Sequence, residues 1–418
     1  MEKKIFSIVT LGCFRNRYDS GVVTNRFLTK ENSLLEPDKI SKKNKADILL
    51  VNTCGFIDSA KLESIQVIKE AIELKKEKKV KEVYVFGCLV ERFKNQLARH
   101  FPQVDKWRGV ESFEKKYKKR KLGQKPVDFI KICEGCINRC SYCAIPLIKG
   151  PLASRPIPEV LKEVKKIDKA GVKELNIVGQ DITSWGKDLS KKQNLANLLK
   201  HIVKTIKKIK WIRLIYTYPK HFSNDLIDLI ASEKKICNYI DLPIQHINKR
   251  VLKLMNRKIT PEDIISLIKK IREKIPDCAI RTSVIVGFPG ETESEFNQLL
   301  DFIKEIKFEK LGVFTYSQEE GTKAAKFPGQ IHHMTKKKRK RRIMEAQQKI
   351  GADNLEKFVG QEITVLVLEK RKGFYIGRSQ YDAPEVDGIV FIKRDKLKIG
   401  RFYKVKVTDS LEYDLVAE

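Results

Sequence analysis

The sequence has no long apolar run, and this absence excludes a membrane-spanning helix. No stretch approaches the roughly eighteen consecutive apolar residues that such a helix needs. The N-terminus, MEKKIFSIVTLGC, has a charged start, but its apolar stretch is too short for a signal peptide. It predicts a first β-strand instead. We therefore expect a cytoplasmic protein with no membrane partner.

Acidic residues are scarce relative to basic ones. The chain has 53 Asp and Glu against 85 Lys and Arg, a formal net charge of +32. Such an excess indicates a polyanionic partner such as RNA or the ribosome. A lysine-rich composition with solvated helix faces explains the scattered lysines equally well. Two runs concentrate the charge, KKYKKRK at 115–121 and KKKRKRR at 336–342, and both are also typical of solvated linkers.

The chain is too long for one compact core, and several domains are expected. It has 418 residues, of which 42% are hydrophobic, enough for ordinary globular packing. Shifts in pattern and charge predict five segments: an N-terminal domain at 1–112, a basic linker at 113–126, a central domain at 127–334, a basic helical linker at 335–357 and a C-terminal domain at 358–418.

The N-terminal segment alternates strand and helix patterns. Three β-branched apolar stretches, IFSIVTLGC, DILLVNTC and EVYVFGC, end at Cys13, Cys54 and Cys88. Alternation of this kind predicts an open parallel sheet, whose ligands bind beyond the carboxyl ends of the strands. Three thiols at one sheet edge therefore indicate a ligand set. Three small buried residues at strand ends are the alternative interpretation.

The central segment also alternates, with six predicted strands. These are DFIKI, ELNIVG, WIRLIYT, NYIDL, AIRTSVIVG and KLGVFTYS. Six strand–helix units predict a partial, open β/α barrel, whose active site lies at the C-terminal ends of the strands. The cysteine-rich stretch GCINRCSYC follows the first of these strands, where chemistry is expected.

The C-terminal segment predicts five short strands in a small antiparallel β-barrel of the kind that binds nucleic acid or protein. It carries 11 Lys and Arg against 10 Asp and Glu, so its net charge is 11 − 10 = +1. A domain so close to neutral is a weak candidate for binding phosphates.

Four of the nine cysteines fall within residues 133–143. The odd total and the expected compartment make structural disulfides a poor explanation. Zinc stays open on counting alone, because Cys133 and Cys136 form a CxxC pair. An iron–sulfur cluster is the other candidate. If only three cysteines hold a four-iron cube, one iron stays open for a chelating substrate.

The spacing Cys136-x3-Cys140-x2-Cys143, with Tyr142 before the last cysteine, resembles the signature of the radical S-adenosylmethionine (SAM) superfamily. The resemblance implies that these three cysteines hold a four-iron cluster whose open iron binds SAM. Reductive cleavage of SAM then gives a 5′-deoxyadenosyl radical. Cys133 stands where the family more often has serine, and we interpret it as a bystander.

Further motifs resemble the methylthiotransferases of that superfamily over nearly the whole chain. They are TLGCFRNRYDSG, VNTCGFIDSAKLESI, FGCLVERF, IVGFPGETE and SEFNQLLDFIKE, followed by a tail that resembles a TRAM barrel. The resemblance implies that Cys13, Cys54 and Cys88 hold a second, auxiliary four-iron cluster.

Within that family the chain resembles the RimO-like branch, which modifies an aspartate of the twelfth small-subunit ribosomal protein near the decoding centre. The stretches AIPLIKGPLASRP, LPIQHINKRVLKLMNRK, FTYSQEEGTKAAKFPGQ and YDAPEVDGIVFI carry this resemblance. The acids of EEGT and DAPEVDG are expected to suit a basic ribosomal protein. The MiaB-like branch, which modifies an adenosine of transfer RNA, and a non-catalytic iron–sulfur or zinc module on the ribosome remain the alternatives.

The implied reaction uses two SAM molecules, one as methyl donor and one as radical source, and adds a methylthio group to the β-carbon of the aspartate. Radical chemistry makes a Ser/His/Asp arrangement unnecessary, and His246 is interpreted as a packing or cofactor-contact residue. An external electron donor and contact with ribosomal RNA are also expected. Residues implied to contact SAM are Gly179, Gln180, Asp181, Gln245, Gly287 and Gly290. The alternative interpretation of VGFPG is that it forms only a tight turn between a strand and a helix and does not contact SAM.

Overall fold

The computed structural model describes residues 4–28, 32–110, 126–190 and 192–418. The predicted linker at 113–126 lies outside these residues except for Pro126, and so does the basic run at 115–121. None of the helices formed by the described residues combines the length and the apolar character needed to cross a bilayer.

The N-terminal sheet has five parallel strands in the order β2-β1-β3-β4-β5. The three predicted strands form its centre, and two short edge strands were not predicted. The central strands are nearly continuous apolar runs because helices cover both sheet faces. The strands are β1 (Ile5–Thr10), β2 (Ser33–Leu34), β3 (Ala46–Thr53), β4 (Val80–Gly87) and β5 (Lys106–Arg108), and the helices are α1 (Phe14–Phe27), α2 (Asp58–Lys76) and α3 (Cys88–His100).

The central sheet contains all six predicted strands, in parallel and in the order β13-β12-β11-β10-β9-β6. No pairing joins β13 to β6 among the described residues, which confirms the open barrel. Its strands are β6 (Val127–Lys131), β9 (Glu174–Val178), β10 (Trp211–Leu214), β11 (Ile236–Asp241), β12 (Ala279–Val286) and β13 (Lys310–Thr315). A two-stranded ribbon, β7 (Cys133–Glu134) with β8 (Ala153–Ser154), flanks the cysteine-rich loop.

Helices on the outer side complete the central domain. The last two of them begin with capping boxes, Thr260 with Asp263 and Thr292 with Glu295, which satisfy the first free backbone N–H groups. The helices are α4 (Ile145–Lys149), α5 (Ile157–Lys169), α6 (Leu195–Thr205), α7 (Asn224–Ser232), α8 (Lys249–Leu254), α9 (Pro261–Lys274) and α10 (Glu293–Ile306).

The predicted basic helix is α11 (His333–Glu356). It buries Ile343 and Ile350 in the central core, so it packs against the barrel along its length. Its inward cations are also engaged, because Arg339 donates to the carbonyl of Glu291 at 3.1 Å. The basic run therefore has an inward, packed face and an outward, solvated face.

The C-terminal domain is a closed five-stranded barrel in the order β14-β15-β16-β18-β17. The predicted small β-barrel is confirmed, and its pairs are antiparallel except that β16 and β18 run parallel. The last strand inserts between β16 and β17, and an odd-numbered ring of strands cannot alternate direction throughout. The strands are β14 (Glu362–Arg371), β15 (Phe374–Ser379), β16 (Val390–Ile392), β17 (Phe402–Ser410) and β18 (Leu415–Ala417).

The C-terminal barrel packs on the N-terminal ends of the central strands. Trp211, the first residue of β10, meets Phe402 with ring centroids 4.8 Å apart. Glu174, the first residue of β9, is fully buried between Arg213 and Arg378. Burial alone would raise the pKa of Glu174, but the two guanidinium groups lower it. The C-terminal ends of the strands are left for the N-terminal domain.

Candidate active site

The three cysteines of the N-terminal domain follow its three central strands. Cys13 caps α1, Cys54 follows β3 directly, and Cys88 is the first residue of α3. Two glycines permit their close approach. A Cβ atom on Gly12 would lie 2.9 Å from Cys54 Sγ, and one on Gly55 would lie 3.0 Å from the carbonyl carbon of Cys88. The predicted meeting of these thiols at one sheet edge is therefore observed.

Asn16 joins the three strand ends. Its side-chain N–H donates to the carbonyl of Leu11 at 2.8 Å and to that of Thr53 at 3.3 Å. Its side-chain oxygen lies 3.8 Å from Cys88 Sγ. Asn16 is 2% exposed, so this amide fixes the loops that carry the cysteines rather than contacting solvent.

The second set, Cys136, Cys140 and Cys143, lies on the loop between β7 and α4. Asn138 within this loop donates to Asp181 Oδ2 at 2.8 Å, and its amide nitrogen lies 3.6 Å from Cys136 Sγ. The backbone N–H of Ile145 approaches Cys143 Sγ at 3.4 Å. The loop therefore has its own hydrogen-bonded support.

The two cysteine sets face each other across the domain boundary. Cys88 lies in one small apolar cluster with Ala144, the residue that follows Cys143, and with Ile148. On the other side, Phe14 packs against Val178 and stacks on Phe129 at 5.0 Å. Both sets thus line one space between the N-terminal domain and the C-terminal ends of the barrel strands.

Arg15 spans this space. Its Nε donates to Cys13 Sγ at 3.2 Å and its Nη1 donates to the carbonyl of Gly179 at 3.4 Å. The guanidinium also lies 4.6 Å from the centroid of the Tyr216 ring. Arg15 is not among the site residues predicted from the sequence, although its place two positions after Cys13 was a local signal.

A buried ion cluster holds α1 against the strand that precedes the cysteine-rich loop. Lys131, at the end of β6, is completely buried and pairs with Asp19 and Glu134. Lys149 pairs with the same two acids, at 3.2 and 2.9 Å. Removing one partner from such a cluster leaves an uncompensated buried charge, which is strongly destabilising.

Among the cysteines of the two sets, Cys13 alone has a lowered pKa. Burial raises the pKa of Cys136 to about 11 and that of Cys143 to about 12. Burial also raises the pKa of Cys88 to about 12. At Cys13 burial acts in the same direction, but the adjacent Arg15 outweighs it and the pKa is lowered. Metal binding needs thiolates, so loading these sites releases protons.

Each set offers three free thiols, the donor type that four-iron clusters take. Across residues 4–28, 32–110, 126–190 and 192–418, no three His, Cys, Asp or Glu side chains converge on one metal ion. Cys133 does not complete a zinc site, because it is completely buried and its sulfur lies 3.7 Å from the carbonyl of Asp181. A Cβ atom on Gly179 would lie 2.6 Å from that sulfur. This packing favours the bystander interpretation of Cys133.

Gln180 has the feature expected of a SAM contact. Both polar atoms of the Gln180 amide are buried and have no hydrogen-bond partner among the described residues, an arrangement that a bound ligand would satisfy. Gln245 has a positive φ of 70° and its amide N–H approaches the hydroxyl of Ser283 at 3.3 Å. Their contact with SAM stays a prediction.

Asp181 is fully engaged within the protein. Its carboxylate accepts from the backbone of Thr183 at 3.0 Å, from the Ser184 hydroxyl at 2.5 Å and from His221 Nδ1 at 3.0 Å, besides Asn138. Burial alone would raise the pKa of Asp181, but these donors lower it. The predicted SAM contact of Asp181 is untested, and the geometry makes it a support for the cysteine-rich loop.

Gly287 and Gly290 form a tight turn with φ of 69° and 75°. Glu291 accepts from the backbone N–H groups of Gly287 and Phe288, and Lys336 of α11 covers the turn. The turn interpretation therefore fits, and ligand contact by these glycines stays a prediction. Nearby His246 is completely buried, and its Nδ1 accepts from the backbone of Asn248 at 2.9 Å, as expected of a packing residue.

The prediction that the EEGT acids face a basic substrate is wrong for Glu319. This residue is 1% exposed and pairs with Arg92 at 2.6 Å and with Lys61 at 3.0 Å. Arg92 also donates to the carbonyl of Gly55, next to Cys54, at 2.8 Å. Glu319 therefore holds the N-terminal domain on the barrel.

Two of the three DAPEVDG acids are likewise internal, so that expectation is wrong for them. Asp382 pairs with Lys310 at 2.7 Å. Asp387 accepts from the Tyr239 hydroxyl at 2.7 Å. Only Glu385 is half exposed.

Comparison with known protein families gives three matches along the chain. Residues 5–109 match the "Uncharacterized protein family UPF0004", residues 130–303 match the "Radical SAM superfamily" and residues 359–418 match the "TRAM domain". The radical SAM match brings SAM and four-iron clusters as the cofactors of the fold. The DFIKI strand and the cysteine-rich loop lie at the start of that match.

Curated relatives extend along the whole chain. The uS12 methylthiotransferase RimO of Alkaliphilus oremlandii is 40% identical over 98% of this chain and 98% of its own. The same enzyme of Desulforamulus reducens is 43% identical over 98% of both chains, and that of Christiangramia forsetii is 39% identical over 100% of this chain and 95% of its own.

Solved structures share the fold alone. The radical SAM methyltransferase TsrM of Kitasatospora setae, solved with cobalamin and a [4Fe-4S] cluster, gives a TM-score of 0.55 at 14% identity, over 92% of this chain and 82% of that one. Identity along the full length places this chain in the RimO branch. The chain belongs to the ribosomal protein uS12 methylthiotransferase family of radical SAM enzymes.

Proposed function

We propose that this chain adds a methylthio group to the β-carbon of an aspartate in ribosomal protein uS12. The observation that carries the proposal is that two three-cysteine sets lie at one domain boundary, where Cys88 and Ala144 belong to the same apolar cluster. Similarity to uS12 methylthiotransferases along the whole chain supports it. The reaction would take place in the cytoplasm, where ribosomes are, and would need an external electron donor.

In this proposal Cys136, Cys140 and Cys143 hold the radical SAM cluster, and a separate set holds the auxiliary cluster: Cys13, Cys54 and Cys88. Bound SAM and the clusters supply the methyl group and the radical that activates an unreactive C–H bond. SAM would lie against Gln180, whose amide has no partner among the described residues, and Gln245.

The chain's own residues hold the cysteine-rich loop and the N-terminal domain in fixed positions. Asp181 and Asn138 fix the loop that carries Cys136. Arg257 donates to the Tyr142 hydroxyl at 3.2 Å and to the carbonyl of Pro243 at 2.6 Å, which ties that loop to the end of β11. Arg92 with Glu319 holds the N-terminal domain in place over the strand ends. Pre-organisation of this kind is what positions reacting groups.

Contact with ribosomal RNA is part of the proposal, and α11 is the surface that we assign to it. Four cations of its basic run are exposed: Lys337, Lys338, Lys340 and Arg341. Lysine is depleted at protein–protein interfaces but is common at phosphate contacts. The C-terminal barrel, with its net charge of +1, would contribute little to such binding.

Mass measurement of uS12 tests the proposed function. The peptide of uS12 that carries the target aspartate would be compared between a parent strain, a strain lacking this gene and that strain complemented with Cys136→Ala. The methylthio mass is expected in the parent alone. An unchanged mass in the deletion strain would refute the proposal and direct the search to the adenosine of transfer RNA.

A further inference from the structure

A continuous series of contacts from three domains frames the interior of the open barrel. Below Arg15, the backbone N–H of Tyr216 donates to Asp241 Oδ2 at 2.9 Å. Arg281 Nη1 pairs with Asp241 Oδ1 at 3.2 Å, and its Nε lies 3.4 Å from Asp387 Oδ1. The interior is therefore bounded by the N-terminal domain above and the loop 381–388 of the C-terminal barrel below.

One contact joins these two boundaries directly and is open to solvent. Arg17 of α1 pairs with Glu385 at 2.5 Å, and their side chains are 49% and 47% exposed. In contrast, the side chains of Asp241 and Asp387 are 1% and 3% exposed. The Arg17–Glu385 pair is thus the accessible member of the series.

The loop holds Glu385 in a conformation that side chains rarely adopt. Its φ is 63°, in the left-handed region, although it is not glycine. Asp382 and Asp387 anchor the loop on both sides, through Lys310 and Tyr239. Backbone strain of this kind persists where the surroundings impose it, and it concentrates at ligand-binding sites.

Two exposed apolar side chains lie next to residues of this series of contacts. Val386, next to Glu385, is 49% exposed, and Phe314 on β13 is 44% exposed. A Cβ atom on Gly312 would lie 3.3 Å from the Phe314 ring and 3.8 Å from Arg281, which places Phe314 beside the same interior. A polypeptide segment entering here would meet both charges and apolar surface.

We propose that Arg17 and Glu385 form the recognition site for the substrate segment, with Arg17 binding the carboxylate of the target aspartate and Glu385 binding a basic side chain near it. This inference rests on the proposed function. The arginine fork matches a carboxylate in a bidentate manner. Arg17 is one helical turn from Cys13, a rise of about 6 Å, so the bound aspartate would lie near the cysteine sets. Exposed ion pairs contribute little net stability, so the substrate exchanges partners with this pair at small cost.

Binding without turnover tests the site. The probe is a labelled uS12 peptide carrying the target aspartate, and a second peptide has asparagine there. Affinity is measured with the cluster-loaded enzyme and SAM, without reductant. The wild type is expected to prefer the aspartate peptide about tenfold, the ratio that a charged hydrogen bond supplies. Arg17→Gln should abolish this preference. Glu385→Gln should lower the affinity for both peptides by the same factor.

Exchanging the charges of Arg17 and Glu385 shows whether the pair recognises substrate or only links the two domains. The double variant R17E/E385R restores an ion pair, so its melting temperature should match the wild type while aspartate preference stays lost. If the exchange restores the preference, the pair is only structural and the inference is overturned. Lys404→Gln is the matched control, because Lys404 and Glu362 form an exposed pair at 2.7 Å elsewhere on the C-terminal barrel. It should change neither affinity.

The failure of this inference differs from failure of the proposed function. If the wild type modifies uS12 but Arg17→Gln keeps the preference for aspartate, the recognition site is refuted and the enzyme's function stands. If the wild type leaves uS12 unmodified, the proposed function itself fails.

Discussion

The guanidinium of Arg15 donates a hydrogen bond to the sulfur of Cys13 while its other nitrogen reaches the carbonyl of Gly179. One side chain therefore contacts a proposed ligand of the auxiliary cluster and the segment proposed to bind SAM. Hydrogen bonds to cluster sulfurs and nearby positive charge raise a cluster's reduction potential. The two proposed sites are thus linked electrostatically through Arg15.

Replacing Arg15 should shift the potential of the auxiliary cluster without removing its iron. Arg15→Ala is expected to lower the potential by on the order of tens of millivolts, because a donor and a cation are both lost. Arg15→Lys should restore part of the shift. Redox titration followed by electron paramagnetic resonance measures it. An unchanged potential in Arg15→Ala would exclude this role.

Iron content should follow the two cysteine sets. The reconstituted wild type is expected to hold about eight irons, and Cys88→Ala about four. Cys133→Ser should keep all eight, because its sulfur is packed behind Gly179. Iron analysis with Mössbauer spectra provides the measurement. Loss of iron in Cys133→Ser would contradict the bystander interpretation.

Removing Glu319 should destabilise the joint between the N-terminal domain and the barrel. Glu319→Ala leaves Arg92, which is 4% exposed, without its carboxylate. Breaking a buried pair in this way costs about 3–5 kcal/mol. Chemical denaturation monitors the loss, and Glu320→Ala is the control because its side chain is exposed. Equal stability of the two variants would show that Glu319 contributes nothing at this joint.

Acid should weaken the fold through Glu295. Hydrogen bonds from Arg250 lower the pKa of Glu295 from 4.5 to about 2. A depressed pKa stabilises the folded state fully above about pH 4.5, and this contribution is lost as the pH falls towards 2. Arg250→Ala should therefore lower the melting temperature at pH 6 but make little difference near pH 2. A pH-independent difference between the two proteins would rule out this linkage.

The sequence predicted what local patterns encode. Strand and helix periodicity gave all six barrel strands, and the cysteines at strand ends gave the meeting of Cys13, Cys54 and Cys88. The two-residue strand β2 is too short to leave a pattern. The partners of the acidic motifs could not be predicted either, because Glu319 pairs with Arg92, which is 227 positions away in the chain. Long-range pairing reversed the expected role of EEGT from substrate contact to domain joint.

The buried contact of Glu174 with Arg213 and Arg378 has a consequence for how substrate arrives. It fixes the C-terminal barrel to the lower rim of the central sheet, and swinging this domain out to collect a protein would break a buried ion pair at high cost. If Arg17 and Glu385 recognise the substrate as proposed, the target would instead have to project from its parent protein as a narrow loop that reaches this pair. A residue on a flat helical or sheet surface would never arrive there, whatever its chemical identity. Selectivity would then begin with the shape of the substrate, before any side chain is recognised.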